Sequence, residues 1–283
     1  MRALSASISD VFHEAAARWT LIAYFALSSL FILIFALAVN LDVVDGALAG
    51  ARLFGQPLDI GGPAQIDRIV LGFESGFSGV LYLIGTFLAL FATAHLVPRL
   101  QEKGTIDLYL SRPVGRVPLL LSRYAAGLLL AAANVAYLVG SIWAIVAWKT
   151  RVLHPRFLLS GLVILFTFAV LLAFAFLVGV VTSSTGVSLM ATYAVFFFAA
   201  VLAAHERIAA AVSTELAARI VDGLYWVLPK TAELGKATVL LVAGNERPEM
   251  LAEVNRLGVY GSTALFGVAA LALASWLFSR KDF

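Results

Sequence analysis

The chain has no cysteine among its 283 residues. Disulfides, thiol catalysis and cysteine-ligated metals are therefore excluded. Charge is scarce too: 13% of residues are Asp, Glu, Lys or Arg, against about 25% in an ordinary soluble domain. Too few polar groups remain to cover a water-facing surface, which excludes a water-soluble globular enzyme. Disorder is excluded by the opposite test, because it needs low hydrophobicity and high charge. The 20 Lys and Arg nearly cancel the 17 Asp and Glu, and no basic run suggests nucleic acid as a partner.

Other chemistry is missing as well. Gly235-Lys236 is followed by Ala237, and the residue five before Gly235 is Lys230. No phosphate-binding GxxxxGK[ST] loop exists, so the chain does not hold ATP in that way. The four histidines, His13, His95, His154 and His205, are scattered and form no HExxH pair, which argues against a metal site. Gly76-Phe77-Ser78-Gly79 matches the GxSG turn of intramembrane serine proteases. Such a serine needs a histidine base within hydrogen-bond reach, and the last apolar run offers none. Small residues at a helix start or packing face are the better explanation.

What the chain has in quantity is apolar sequence, 61% of residues, with a mean hydropathy of +0.95. A bilayer span needs about 20 mostly apolar residues. Six stretches qualify: 20–40, 76–96, 124–148 (with an interfacial lead-in from Pro118), 157–181, 187–204 and 257–278. Fold class follows: an all-α membrane protein of six transmembrane helices, read as a single domain over 1–283. No internal repeat is visible. The spans carry essentially no ionisable residue at their centres; His95, Glu74, His205 and Glu206 fall near span ends and read as interfacial. A proton- or sodium-coupled transporter usually needs charges near the midplane, so that class is disfavoured.

Six spans put both termini on one side. The densest basic loop, with Arg99, Lys103, Arg112, Arg116 and Arg123, and the ending Arg280-Lys281 are placed inside, because long loops count little in the positive-inside rule. Trp19 and Trp276 then sit at the inner interface, and Trp148 and Tyr260 at the outer one. Before the first span, Ile8, Val11, Phe12, Ala15, Ala16 and Trp19 recur at helical spacing. That stripe reads as a helix lying in the inner interface. In the long outer segment, Leu216, Ile220, Val221 and Leu224 share one helix face. An unstructured loop of that length would be unusual, so ordered outer helices are expected.

The loop between the second and third spans is the most informative stretch. It reads Pro98-Arg99-Leu100-Gln101-Glu102-Lys103-Gly104-Thr105-Ile106-Asp107-Leu108-Tyr109-Leu110-Ser111-Arg112-Pro113-Val114-Gly115-Arg116. Gly104 is expected to break the incoming helix. Thr105 can cap a new short helix, with Asp107 favourable in its first turn. Ile106, Tyr109 and Leu110 then share a face, and Pro113 ends the helix by pushing the residue before it from helical angles. So short a helix is unstable alone. It calls for a protein partner or the membrane surface.

Glu102-Lys103-Gly104-Thr105-Ile106 and Leu110-Ser111-Arg112-Pro113-Val114-Gly115-Arg116 resemble the cytoplasmic signature of ABC-2 type permeases. That family comprises membrane subunits of ABC transporters, often bacterial exporters, and includes the permease of nitrous oxide reductase maturation systems. The ending Phe278-Ser279-Arg280-Lys281-Asp282-Phe283 is similar to the family's basic-Asp tail. The resemblance implies a multi-pass permease of the bacterial inner membrane, not itself an enzyme, working as a homodimer. Each copy would dock on a separate ATP-binding subunit that holds the ATP and Mg²⁺. Glu102, Gly104, Ile106, Asp107, Tyr109, Leu110, Arg112 and Pro113 would form the coupling helix. Residues 206–256 would form partly re-entrant outer helices, divided by Pro229 and Gly244, with Pro248 in the first turn of a helix leading to the last span. The first outer segment, 41–75, departs from shorter relatives; Leu53-Phe54-Gly55-Gln56-Pro57-Leu58 reads as extended or turn and suits an outer partner or a cap on the dimer. The rival readings are a secondary transporter, an intramembrane protease, and a scaffold of this fold that transmits force without carrying solute.

Overall fold

A computed structural model describes residues 19–44, 47–53, 56–58, 66–101, 115–211, 214–244 and 256–281. The expected interfacial helix before the first span, the coupling helix at 104–113 and the turn at Pro248 lie outside the described residues.

Among the described residues, six helices are long and apolar enough to cross a bilayer, and the membrane part is all-α. The long helices are α1 (Trp19–Ala38), α2 (Ile66–Thr93), α4 (Arg116–Thr150), α5 (Leu159–Thr182), α6 (Thr185–Leu202) and α10 (Arg256–Arg280). Shorter ones are α3 (Leu96–Leu100), α7 (His205–Ala211), α8 (Glu215–Val227) and α9 (Thr231–Ala243), with a 3₁₀ turn at Pro155–Leu158 leading into α5. One addition to the helical reading lies between α1 and α2. Strands β1 (Val39–Val44), β2 (Ala47–Leu53) and β3 (Gln56–Leu58) form an antiparallel sheet in that order. Val39 pairs with Leu53, and Leu53 pairs with Gln56. The bundle thus has a sheet end, which also carries α7 to α9, and a loop end, where residues 102–114 connect α3 to α4.

Helix α5 is the centre of the bundle. Its sequence has no charged residue, and it packs against α2, α4, α6, α9 and α10. Phe168, Leu171, Leu172 and Phe176 are fully enclosed. Burying a side chain of this size stabilises by roughly 1.5–3 kcal/mol relative to leaving it in water; in lipid that advantage disappears and close packing takes its place. Close packing is visible at the glycines. A Cβ on Gly267 of α10 would meet the Val170 backbone at 3.2 Å, and one on Gly85 of α2 would meet Ile164 at 3.2 Å. Helices α1, α6 and α10 bury least and turn broad apolar faces outward.

Two boundaries differ from the sequence expectation. Helix α2 starts at Ile66, about three turns before the expected span start at Gly76. The extra turns have something to pack on: Phe73 and Phe77 stack at 5.8 Å, and Phe35 of α1 lies 4.6 Å from Phe77. The second difference is a break at Ala94-His95, ahead of Gly104. Pro98 explains it, since its ring has no N–H for the Ala94 carbonyl and crowds that oxygen. The pieces are α2 and α3, and α3 keys into α5: a Cβ on Gly179 would meet Pro98 Cδ at 3.3 Å and Val97 Cβ at 3.4 Å.

Candidate functional site

All eight residues expected to carry coupling, Glu102, Gly104, Ile106, Asp107, Tyr109, Leu110, Arg112 and Pro113, lie outside the described residues. The structure describes the two roots of their segment, Gln101 after α3 and Arg116 at the start of α4. Both roots meet the end of α10. Lys281 Nζ donates to Gln101 Oε1 at 2.6 Å, to the Val180 carbonyl at 2.7 Å and to Ser183 Oγ at 2.9 Å. Gln101 Nε2 donates to the Gly179 carbonyl at 2.8 Å, and Ser183 Oγ donates to Gln101 Oε1 at 3.1 Å. From the other root, Arg116 Nη1 donates to the Lys281 carbonyl at 2.6 Å and the Ser279 carbonyl at 3.3 Å.

Local structure explains why these groups meet. Helix α5 ends at Thr182, and Ser183 follows in a left-handed conformation, φ 52°. Ser184 caps α6, its hydroxyl accepting from the Val187 N–H at 3.4 Å. The last carbonyls of a helix run out of helical partners. Gln101 adds a second donor to the Gly179 carbonyl, which already accepts the Ser183 N–H at 2.9 Å, and Lys281 supplies a donor to the Val180 carbonyl; a cation there also meets the negative end of the helix. Partial burial pulls the Lys281 ammonium below the usual lysine range. The basic ending was legible as a charge pattern. That Lys281 reaches the Thr182–Gly186 turn and Gln101 was not, because these residues are remote in sequence. A side signal existed: Gln101 is the polar residue that directly follows a proline-broken helix.

At the sheet end the joints are more enclosed. Glu74 of α2, 1% exposed, lies 3.0 Å from His154 Nδ1 on the link between α4 and α5. The reading of Glu74 as interfacial is thereby refined: it faces protein. Helix α9 is tucked against α2 and α5. Tyr82 OH donates to the Thr231 carbonyl at 2.7 Å, Thr231 Oγ1 to the Phe196 carbonyl at 2.9 Å, and the Lys230 N–H to Thr263 Oγ1 at 3.0 Å. A Cβ on Gly235 would meet the Tyr82 ring at 3.2 Å, so the glycine that failed as a phosphate loop serves packing. The GxSG serine has a similar explanation: Ser78 Oγ donates to the Ser75 carbonyl at 2.6 Å, and Gly79 lies against Val239. Lys230 Nζ folds back on α8, donating to the Tyr225 carbonyl and lying 3.6 Å from the Tyr225 ring centre. Burial lowers its pKa, and Glu233 offsets part of that. His205 stacks on the other side of this cluster, 3.7 Å from the Tyr225 ring, whose hydroxyl burial pushes up to about 12.

The helices expected between the fifth and sixth spans are present as α7, α8 and α9. Leu216 and Ile220 of α8 are 72% and 54% exposed, so that apolar face is left open among the described residues. Tryptophans mark the two ends: Trp276 lies 4.4 Å from Arg280 at the loop end, and Trp148 lies 5.9 Å from Arg151 at the sheet end. Amphipathic rings beside cations belong at membrane interfaces.

Six apolar helices, with uncharged α5 at their centre, define a multi-pass transmembrane protein. The chain belongs to the ABC-2 transporter family: residues 11–283 match the family described as ABC-2 family transporter protein. No curated protein matches the chain. Membership makes it a permease component of an ABC transporter. Such components are typically not enzymes and imply an ABC ATP-binding partner.

Proposed function

We propose that the whole chain acts as one transmembrane domain in a bacterial inner membrane, paired with a second copy. Both termini and residues 102–114 face the cytoplasm, where each copy docks on a separate ATPase that binds the ATP and Mg²⁺. ATP-driven closure of the ATPases pushes on residues 102–114, and rigid-body motion of the two permeases opens a path for a substrate between them. The match to the ABC-2 family over 11–283 carries this reading. The basic groups gathered at the loop end, Arg116, Arg280 and Lys281, support the orientation. The outward apolar faces of α1, α6 and α8 leave surface for lipid and a second copy. The chemistry of the segment supports docking: apolar Ile106, Tyr109 and Leu110 fall at i, i+3 and i+4 in the sequence, between charged Glu102 and Arg112.

The test is co-purification with a candidate ABC ATPase, together with permease-stimulated ATP hydrolysis, for Ile106→Asp and Tyr109→Asp. Each substitution would bury an unpaired charge in the contact, at a cost of about 3–5 kcal/mol, and is expected to abolish assembly. Glu102→Ala removes at most a rim pair of about 0–1 kcal/mol and is expected to be mild. Wild-type assembly and hydrolysis in both Asp variants would refute the docking role.

A further inference from the structure

We propose that Lys281 is the positioning residue of the 102–114 segment, joining its two roots to each other and to the α5–α6 turn. A push on the segment then moves α5, α6 and α10 as one body. This rests on the coupling role argued above.

The chain carries force on residues 102–114 into the bundle through Gln101 and Arg116, the residues that flank the segment. The first root is keyed to α5 by the close approach of Pro98 and Val97 to Gly179 and by the Gln101 Nε2 bond to the Gly179 carbonyl. The second root is the first turn of α4, and its Arg116 holds the backbone of α10's end through Ser279 and Lys281. The Lys281 side chain crosses between the two groups. Its ammonium has three acceptors, one on the first root (Gln101 Oε1), one on the last turn of α5 (Val180 O) and one on the residue before α6's cap (Ser183 Oγ). A cation placed only to cap α5 would need just the carbonyl. Contact with all three elements is what a joint requires. The bonds sit at helix termini, and the Gly179 carbonyl that Gln101 reaches keeps its own bond from the Ser183 N–H. The joint therefore constrains relative positions of helices without being needed to form any of them.

The joint is cut by Lys281→Met, which keeps the stem and removes the donors. Gln101→Leu cuts the same joint from the other side, and Lys281→Arg restores a cation with several donors. The full chain has no cysteine, so spin labels at Leu121 and Val187, 39% and 48% exposed, report the distance between α4 and the start of α6 in lipid nanodiscs. With the isolated permease, Lys281→Met and Gln101→Leu are expected to broaden that distance distribution and Lys281→Arg to restore it. With the ATPase, co-purification should stay near wild type while permease-stimulated hydrolysis falls about tenfold, within the ordinary range of inter-site coupling. Unchanged distances in both cutting variants would overturn the joint. Broadened distances with unchanged stimulation would overturn its role in transmission. Loss of co-purification in Lys281→Met would make Lys281 part of the docking surface, and would overturn it too. If the wild-type chain binds no ABC ATPase, the functional reading fails, and with it the transmission role of Lys281; the distance arm then still shows whether the joint exists.

Discussion

The two ends of the bundle are held together differently. At the sheet end, the joints are enclosed: Glu74 is 1% exposed, Lys230 3%, and Leu234 and Val242 of α9 are fully buried. Their bonds tie the start of α9 to three other helices, from Tyr82 of α2 to Thr231, from Thr231 to Phe196 of α6 and from Lys230 to Thr263 of α10. At the loop end, the joint is a set of flexible side chains laid on helix termini, with Ser183 exposed and Gln101 and Lys281 half-buried. Buried polar bonds inside close packing are costly to break, because the freed groups find no water. Bonds at an exposed terminus exchange readily with water. The sheet end is thus the more enclosed joint, and the loop end the more open one, where the proposed push would enter.

That contrast predicts a ranking of stabilities. Gly235→Leu should be the most damaging, because the added carbons enter the space of the Tyr82 ring; overpacking of this kind costs about 3 kcal/mol. Thermal unfolding of the purified protein should show a clear drop in midpoint, and an unchanged midpoint would mean that α9 is not clamped against α2. His154→Ala should rank second, at about 1–3 kcal/mol, because Glu74 loses its neighbour while staying buried. Removing both partners, as Glu74→Leu with His154→Leu, should cost less than the two single changes summed. Strict additivity in that cycle would dissolve the pair. Lys281→Met should be smallest in the same assay, under about 1 kcal/mol, since its site is open to water. A large loss of stability there would erase the difference between the two ends.

Part of this was readable in the chain and part was not. The six spans, the helices between the last two of them and the tryptophans at both ends follow from local composition and periodicity, which need no knowledge of neighbours. Gly79 of the GxSG run has the packing use expected of a small residue, against Val239. Boundaries were misplaced where the deciding contact is distant. Helix α2 begins early because Phe73 and Phe77 meet Phe35. It breaks before Gly104 because Pro98 acts one turn back on Ala94. Gly235 looked like an unused glycine until Tyr82 of another helix was placed beside it.

Composition alone was enough to make this a multi-pass membrane protein and to locate six candidate spans. Those properties are set by the solvation of each segment taken alone: about 20 apolar residues partition into hydrocarbon whatever surrounds them. Only the tertiary structure decided which remote residues touch. Glu74 with His154 are separated by two spans, and Gln101 with Lys281 by four. Pairings of this kind depend on how helices stack side by side, and in lipid that is settled by shape and a few hydrogen bonds that leave no periodic mark in the chain.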